Sequence, residues 1–142
     1  MSTGSMTTPA DARPPVSKLA LWSGRGISGL VVLAMLAGAG MNLSGNPEAA
    51  KNAAKLGYPE ATLLGIGIAH LISTVLYAVP MTRVLGAILL TGYLGGAVAT
   101  HIRAGEGWGT TVPAFVFGAL VWLGLLLRDR RVRELLPVTK GV

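Results

Sequence analysis

Four side chains of different chemistry lie within eight residues of each other: His101, Arg103, Glu106 and Trp108. An imidazole donates or accepts a proton, a guanidinium binds oxyanions through its fixed N–H donors, and an indole ring stacks on a flat head group. These residue types predict a site for a quinone head group or for an anion such as an oxyanion of sulfur. The simpler interpretation is anchoring at a membrane surface, with Arg103 and Glu106 forming an ion pair in water.

A second histidine, His70, lies in the middle of an apolar stretch. An ionisable side chain is costly inside a membrane, so His70 is a candidate for contacting a quinone or a haem. The alternative is a neutral imidazole that is hydrogen-bonded by a neighbouring hydroxyl, such as Ser73 or Thr74, or by a backbone group. The sequence argues against a haem held jointly by His70 and His101, because the helical rise separates the two residues by roughly 10 Å in depth.

Other kinds of chemistry lack the residues that they need. The chain contains no cysteine, which excludes structural disulfides, thiolate zinc sites and Cys-ligated iron–sulfur clusters. Asp11 and Asp129 lie outside the apolar stretches, so no Ser–His–Asp set can form within a membrane. No carboxylate interrupts an apolar stretch, which disfavours a proton-coupled transporter. We therefore predict no catalytic residue and no metal site, and the sequence does not indicate an enzyme.

The elements that must position these side chains are membrane helices. Apolar residues make up 51% of the 142-residue chain and charged residues 13%, against about 25% charged residues in soluble domains; the mean hydropathy is +0.59. We predict an all-α integral membrane four-helix bundle at residues 18–137, between a disordered cytoplasmic tail at 1–17 and a short tail at 138–142. Its spans are predicted at about 26–43, 61–79, 84–102 and 111–127.

A short helix at the membrane surface is predicted after the first span. Asn46 is a suitable N-cap, and Pro47 fits the first helical position. Gly57 ends this helix, and Pro59 prevents its continuation. The first span has an alternative interpretation, because basic residues, an apolar run and small residues at 37–39 also fit a cleaved signal peptide.

Lysine and arginine are distributed unequally between the two sides of the membrane. Four spans place both termini on one side, together with the second loop, and this side carries the larger share. Because basic flanks stay in the cytoplasm, both termini are predicted to be cytoplasmic, in a bacterial inner membrane. The arginines at 128–133 also attract anionic lipid, and their position against the bilayer excludes nucleic acid as a partner. The nine basic residues on this side are Arg13, Lys18, Arg25, Arg83, Arg128, Arg130, Arg131, Arg133 and Lys140, against Lys51, Lys55 and Arg103 on the other.

Small residues recur along the spans at the spacing of helix contacts. Helices in lipid associate through close packing of small side chains, so these rows predict the seams of the bundle. The alternative is a homo-oligomer interface through Gly92 and Gly96 of the third span. The rows are Ala34, Gly38 and Asn42 in the first span, Gly65, Ala69 and Ser73 in the second, and Ala87, Thr91, Gly95 and Ala99 in the third.

Three stretches of the sequence resemble one known family. They are Leu56-Gly57-Tyr58-Pro59, ILLTGYLGGAVATHIRAG from Ile88 to Gly105, and LVWLGLLLRDRRVRELLP from Leu120 to Pro137. Together they cover most of the chain from residue 56 onward and resemble the DoxX-like integral membrane proteins. The resemblance implies four membrane helices, which favours retention of the first span.

The resemblance also implies a redox setting. The family takes its name from a component linked with thiosulfate:quinone oxidoreduction, and distant eukaryotic relatives resemble membrane chaperones or cargo receptors. No catalytic motif of the family matches this sequence, and His70 departs from the apolar or acidic residue expected at its place. We therefore predict a non-catalytic accessory of a membrane redox system, with a redox protein as partner and a quinone contact near His101 and Arg103. The alternatives are a chaperone or adaptor that packs against client helices and a small-solute transporter.

Overall fold

The computed structural model describes residues 16–135, and its regular secondary structure in that range is entirely helical. Six helices follow one another along this part of the chain. They are α1 (Lys18–Leu43), α2 (Pro47–Lys55), α3 (Thr62–Ala78), α4 (Arg83–Arg103), α5 (Trp108–Arg128) and α6 (Arg130–Leu135). The predicted terminal tails fall almost entirely outside the described residues.

Three of the helices, α1, α4 and α5, are long and apolar enough to cross a membrane. The helix α3 is also apolar, but with 17 residues it is shorter than these three. The all-helical membrane fold expected from the composition is therefore confirmed, whereas four crossings stay a prediction. The helix α1 begins at Lys18, well before the predicted span, because the Ser17 hydroxyl caps it by accepting a hydrogen bond from the Ala20 backbone at 3.2 Å.

The four long helices pack as a ring in the order α1, α3, α4 and α5, with α5 returning to α1. Only residues 79–82 separate α3 from α4, so these two helices are antiparallel neighbours. The short helix α2 follows the last turn of α1 and contacts α1 and α3 at one end of the ring, which we call the α2 end. The opposite end holds the α3–α4 turn and α6, and we call it the basic end.

At the basic end the interior of the ring is filled with large side chains. The Tyr77 hydroxyl donates a hydrogen bond to the Val121 backbone carbonyl at 2.9 Å and lies 2.9 Å from the Ser28 hydroxyl. Since hydrocarbon offers no hydrogen-bond partner, this contact provides both hydroxyls with partners and joins α3 to α1 and α5. The largest completely buried apolar side chains are Val31, Tyr77, Leu90, Val121 and Leu125.

Charged residues of the basic end bind to the bundle itself. Arg83 forms an ion pair with the buried Asp129 at 2.7 Å, which links the start of α4 to the end of α5. Arg133 donates hydrogen bonds to the backbone carbonyls of Leu126 and Leu127 in the last turn of α5. The predicted arginine cluster therefore has a structural role in addition to its charge.

Two close approaches between helices depend on glycine. A methyl group on Gly24 of α1 would lie 3.0 Å from the Gly124 carbonyl of α5, so these two helices meet backbone to backbone. A methyl group on Gly86 of α4 would overlap the backbone of Tyr77 in α3. Both contacts lie at the basic end.

The predicted small-residue seam on α4 is wrong for most of its length. Of its row only Ala87 is buried, because α4 directs Leu90 and Leu94 into the interior. Residues spaced four apart rotate by about 40° per step around a straight helix, so the later members of the row turn outward. The exposed members are Thr91, Gly95 and Ala99, together with Gly65 and Ala69 of the row on α3.

Replacing Gly86 with alanine tests the tighter of the two glycine contacts. The added methyl group would overlap the Tyr77 backbone, so we expect the free energy of unfolding to fall by about 1–3 kcal/mol. Gly95→Ala on the same helix is the control, since its methyl group would meet no atom within 4 Å. Thermal unfolding in detergent measures both variants, and equal melting temperatures would contradict the packing described.

Candidate functional site

A cavity of about 490 Å³ lies inside the ring at the α2 end. It is bounded by α1, α2, α3 and α4, whereas α5 contributes no residue to its wall. The wall residues are Gly38, Met41 and Asn42 of α1, Ala49, Asn52, Ala53, Leu56 and Tyr58 of α2 and the turn after it, Leu63 and Ile66 of α3, and Gly92, Tyr93, Gly96, Ala97, Thr100 and His101 of α4.

Small residues create this space. Ala49 and Ala53 are the buried residues of α2, and both belong to the wall. Gly38 on α1 and Gly92 and Gly96 on α4 provide no side chain to fill the gap between their helices. The ring that is filled by leucine, valine and tyrosine at the basic end is therefore hollow at the α2 end.

The helix α2 forms a roof over the cavity and is fixed to α4 at its C-terminal end. The helix ends at a turn in which Gly57 adopts a positive φ of 79°. Just before this turn, the Leu56 carbonyl accepts a hydrogen bond from Arg103 at 2.9 Å. Just after it, the Tyr58 hydroxyl is 3.0 Å from the Thr100 hydroxyl. Two hydrogen bonds from neighbouring turns of α4 thus hold the roof in place.

His101 lines the cavity at its α2 end and is oriented by a carboxylate. After α4 ends, Gly105 adopts a positive φ of 70° and turns the chain back, which brings Glu106 beside His101. The His101 Nδ1 lies 2.6 Å from the Glu106 Oε2. The hydrogen bond from His101 holds the pKa of the Glu106 carboxyl below its ordinary value.

Tyr93 lies in the wall of the cavity and stacks on His70. Their ring centroids are 4.1 Å apart and the two planes differ by 22°. His70 is 4% exposed, and its Nε2 lies 3.3 Å from the Met35 sulfur, while its Nδ1 has no hydrogen-bond partner within residues 16–135. The hydroxyls predicted to bond this imidazole do not: those of Ser73 and Thr74 donate to backbone carbonyls instead.

The structure separates the roles of the four clustered residues predicted from the sequence. His101 belongs to the cavity wall, and Glu106 acts on it through a hydrogen bond. Arg103 donates to the Leu56 carbonyl rather than pairing with Glu106, contrary to the simpler interpretation. Trp108 is 79% exposed and lies outside the wall.

Five polar wall residues were not predicted as site residues from the sequence: Asn42, Asn52, Tyr58, Tyr93 and Thr100. A signal was present for α4. Its wall residues are 92, 93, 96, 97, 100 and 101, so they follow the helical repeat back from His101 along one face. No comparable signal marks Tyr58 or Asn42, because their place depends on how α2 folds back over the ring.

Apolar helices packed in a ring around a cavity, three of them long enough to span a bilayer, define this chain as a helical membrane protein. A protein-family model for the DoxX-like family matches residues 26–124, a range that contains every residue of the cavity wall. The chain belongs to the DoxX-like family, as the sequence resemblance indicated. No curated protein and no solved structure matches it.

The pair formed by His101 and Glu106 makes the stability of the protein depend on pH. The carboxylate is stabilised in the folded state, so its contribution is complete above its ordinary pKa of 4.5 and is lost as the pH falls through the lowered value. We expect Glu106→Gln to melt at a lower temperature than the unsubstituted protein at neutral pH, and the difference to shrink below about pH 4.5.

Melting curves recorded between pH 7 and pH 3 by intrinsic fluorescence measure this difference. Glu60→Gln is the control, since Glu60 is exposed and its carboxylate makes no ion pair within the described part of the chain. A difference for Glu106→Gln that stays constant across the range would show that the ionised carboxylate does not matter.

Proposed function

We propose that the chain binds a quinone-class molecule in the cavity and serves a membrane redox system as a non-catalytic accessory. The proposal is carried by the cavity, which has a largely apolar wall with Tyr58, Thr100 and His101 at its α2 end. Ligand pockets commonly have volumes of about 300–1,000 Å³, apolar walls and a few polar groups that orient the ligand. A cavity of about 490 Å³ suits one ring-sized head group and the beginning of a chain.

His101 is suited to both redox states of a quinone. With Nδ1 donating to Glu106, Nε2 is the ring nitrogen left for a ligand. A neutral imidazole accepts a hydrogen bond from a quinol hydroxyl through Nε2, and a protonated imidazole donates one to a quinone carbonyl. Glu106 holds the ring in one orientation in both cases, which lowers the cost of ordering it when a ligand binds.

The redox setting rests on the family. The DoxX-like family takes its name from a component linked with thiosulfate:quinone oxidoreduction, and the match extends over the whole cavity wall. The chain has no cysteine, so no thiol chemistry of its own accompanies the cavity. In this proposal a partner protein carries out the electron transfer, and the present chain holds or delivers the quinone.

A second candidate function is a membrane adaptor or chaperone that packs against client helices. Gly95 and Ala99 are exposed small residues on α4, next to Thr91, whose hydroxyl accepts a hydrogen bond from Trp122 of α5 at 2.8 Å. Helices in a bilayer approach each other closely over such residues, whether the second helix belongs to a client or to another copy of the chain. An adaptor would be purified with another protein and without quinone.

Quinone binding by the purified protein tests the first candidate. In mild detergent, native mass spectrometry is expected to detect a bound quinone, and added quinone is expected to raise the melting temperature. His101→Ala removes one hydrogen bond to the head group, which is worth about 0.5–1.5 kcal/mol, so we expect the affinity to fall about fivefold.

Ile102→Ala is the control for His101→Ala. It follows His101 in the same turn of α4, is 60% exposed and does not belong to the cavity wall, so its affinity for quinone should equal that of the unsubstituted protein. A protein that neither carries nor binds quinone would contradict the proposal, and a co-purified membrane protein would then favour the adaptor.

We further propose that the chain crosses a cell membrane four times with both termini in the cytoplasm. Nine of its twelve basic residues lie on the side of the termini, and cytoplasmic flanks are enriched in such residues. A reporter that is active only outside the cytoplasm is expected to be inactive when fused after Val142. The same reporter fused after Gly107, in the turn between α4 and α5, is expected to be active, and the reverse pattern would overturn this orientation.

A further inference from the structure

Resting on the proposed function, we infer that the cavity opens sideways into the hydrocarbon of the bilayer, through a gap at Gly92 and Gly96 of α4. The ligand is then a lipophile with a single flexible chain, such as an isoprenoid or alkyl quinone. Its head group lies in the cavity, and its chain passes through the gap into the bilayer. We call this gap the glycine port.

The exposure of the wall residues locates the port. Most of the sixteen wall residues are buried or half-buried. Four are exposed, and they are Met41 of α1, Asn52 of α2, and Gly92 and Gly96 of α4. A residue that both lines a cavity and reaches the outer surface must border its opening, so these residues define the rim.

The gap lies on a face of α4 that α5 does not cover. The helix α5 packs against α4 on the side of Thr91, whose hydroxyl accepts a hydrogen bond from Trp122 at 2.8 Å. By the helical repeat, Gly96 lies instead on the side of Tyr93 and Thr100, which contact His70 of α3 and Tyr58. The helix α5 accordingly supplies no residue of the cavity wall.

The port lies at the depth of the hydrocarbon. By the helical rise, Gly96 and Gly92 are roughly 10 Å and 17 Å from Arg103 at the end of α4. The preceding turn of α4 exposes Ile88 and Leu89, as expected of a helix that faces lipid. A molecule that passes through the port at this depth leaves the bilayer core directly, without passing through water.

No packing contact within the described chain requires the two glycines. A methyl group on Gly92 or Gly96 would meet no atom within 4 Å, in contrast to Gly86, which lies against a neighbouring backbone. Glycine stabilises a helix less than alanine does. Two glycines at the rim are therefore better explained by an opening that must stay free of side chains. A flexible chain would occupy that space.

A pair of quinones tests the port. The dimethoxy-methyl-benzoquinone head group without a chain needs only the cavity, whereas the same head group with a decyl chain also uses the port. We expect Gly92→Leu and Gly96→Leu to weaken binding of the decyl quinone about tenfold more than they weaken binding of the chainless quinone, because the new side chains obstruct the port that only the chain occupies.

Gly95→Leu is the matched control. It places the same side chain one position from Gly96, on exposed surface where a methyl group would meet no atom within 4 Å and outside the wall. The ratio of its affinities for the two quinones should equal the ratio for the unsubstituted protein. Because each quinone partitions into detergent to the same extent in all samples, comparing ratios also cancels that effect. Gly92→Ala and Gly96→Ala should show the same loss to a smaller degree, and melting temperatures confirm that all variants fold.

The outcomes separate this inference from the proposed function. If the leucine variants keep the ratio of the unsubstituted protein, the port is wrong while the cavity still binds quinone. If the variants weaken both quinones equally, the glycines belong to the head-group site and the port is again wrong. If size-exclusion chromatography shows that the leucine variants no longer form an oligomer while their ratio of affinities for the two quinones is unchanged, the glycines form a contact between copies and the port is wrong. Failure of both quinones to bind the unsubstituted protein overturns the port and the proposed function together.

Discussion

A hydroxyl group inside a bilayer must find its hydrogen-bond partners within the protein, and at the basic end of the bundle Tyr77 and Ser28 meet this requirement together. The Tyr77 hydroxyl bonds the Val121 carbonyl and the Ser28 hydroxyl, so that one side chain of α3 connects α1 with α5. Gly86 allows α4 to lie directly against the Tyr77 backbone. Tyr77 of α3 therefore contacts each of the other three helices of the ring, α1, α4 and α5. These contacts fix the four helices relative to one another at the basic end.

The two halves of the ring differ because their residues differ in size. At the basic end large apolar side chains and the Tyr77 contact fill the interior, and the Arg83–Asp129 ion pair closes it. At the α2 end alanine and glycine face inward and a cavity results. This arrangement suits the binding of a ligand. The packed basic end holds the helices of the cavity wall in place, and the small residues at the α2 end keep the cavity between them open.

The sequence is sufficient for the helical membrane fold because hydropathy and helix caps act locally. Asn46, Pro47 and Gly57 delimit α2 as their types predict. The cavity is a different matter. His101 and Glu106 were recognisable as neighbours in the chain, but whether Gly92 faces a helix or a void depends on the rotation of α4 and on the placement of α2. Those are set by distant contacts such as that between Arg103 and Leu56, which no local pattern encodes.

The ring order also bears on how the protein is made. Because α1 and α5 are neighbours, α1 leaves the ribosome before α5 and completes its packing only when α5 follows. The α3–α4 hairpin can assemble as soon as its short turn is synthesised. Until α5 arrives, however, the Tyr77 hydroxyl lacks its carbonyl partner and Gly24 faces an empty groove. Before α5 is synthesised, the Tyr77 hydroxyl therefore has Ser28 as its partner and not the Val121 carbonyl, and the bundle is completed only when α5 supplies that carbonyl.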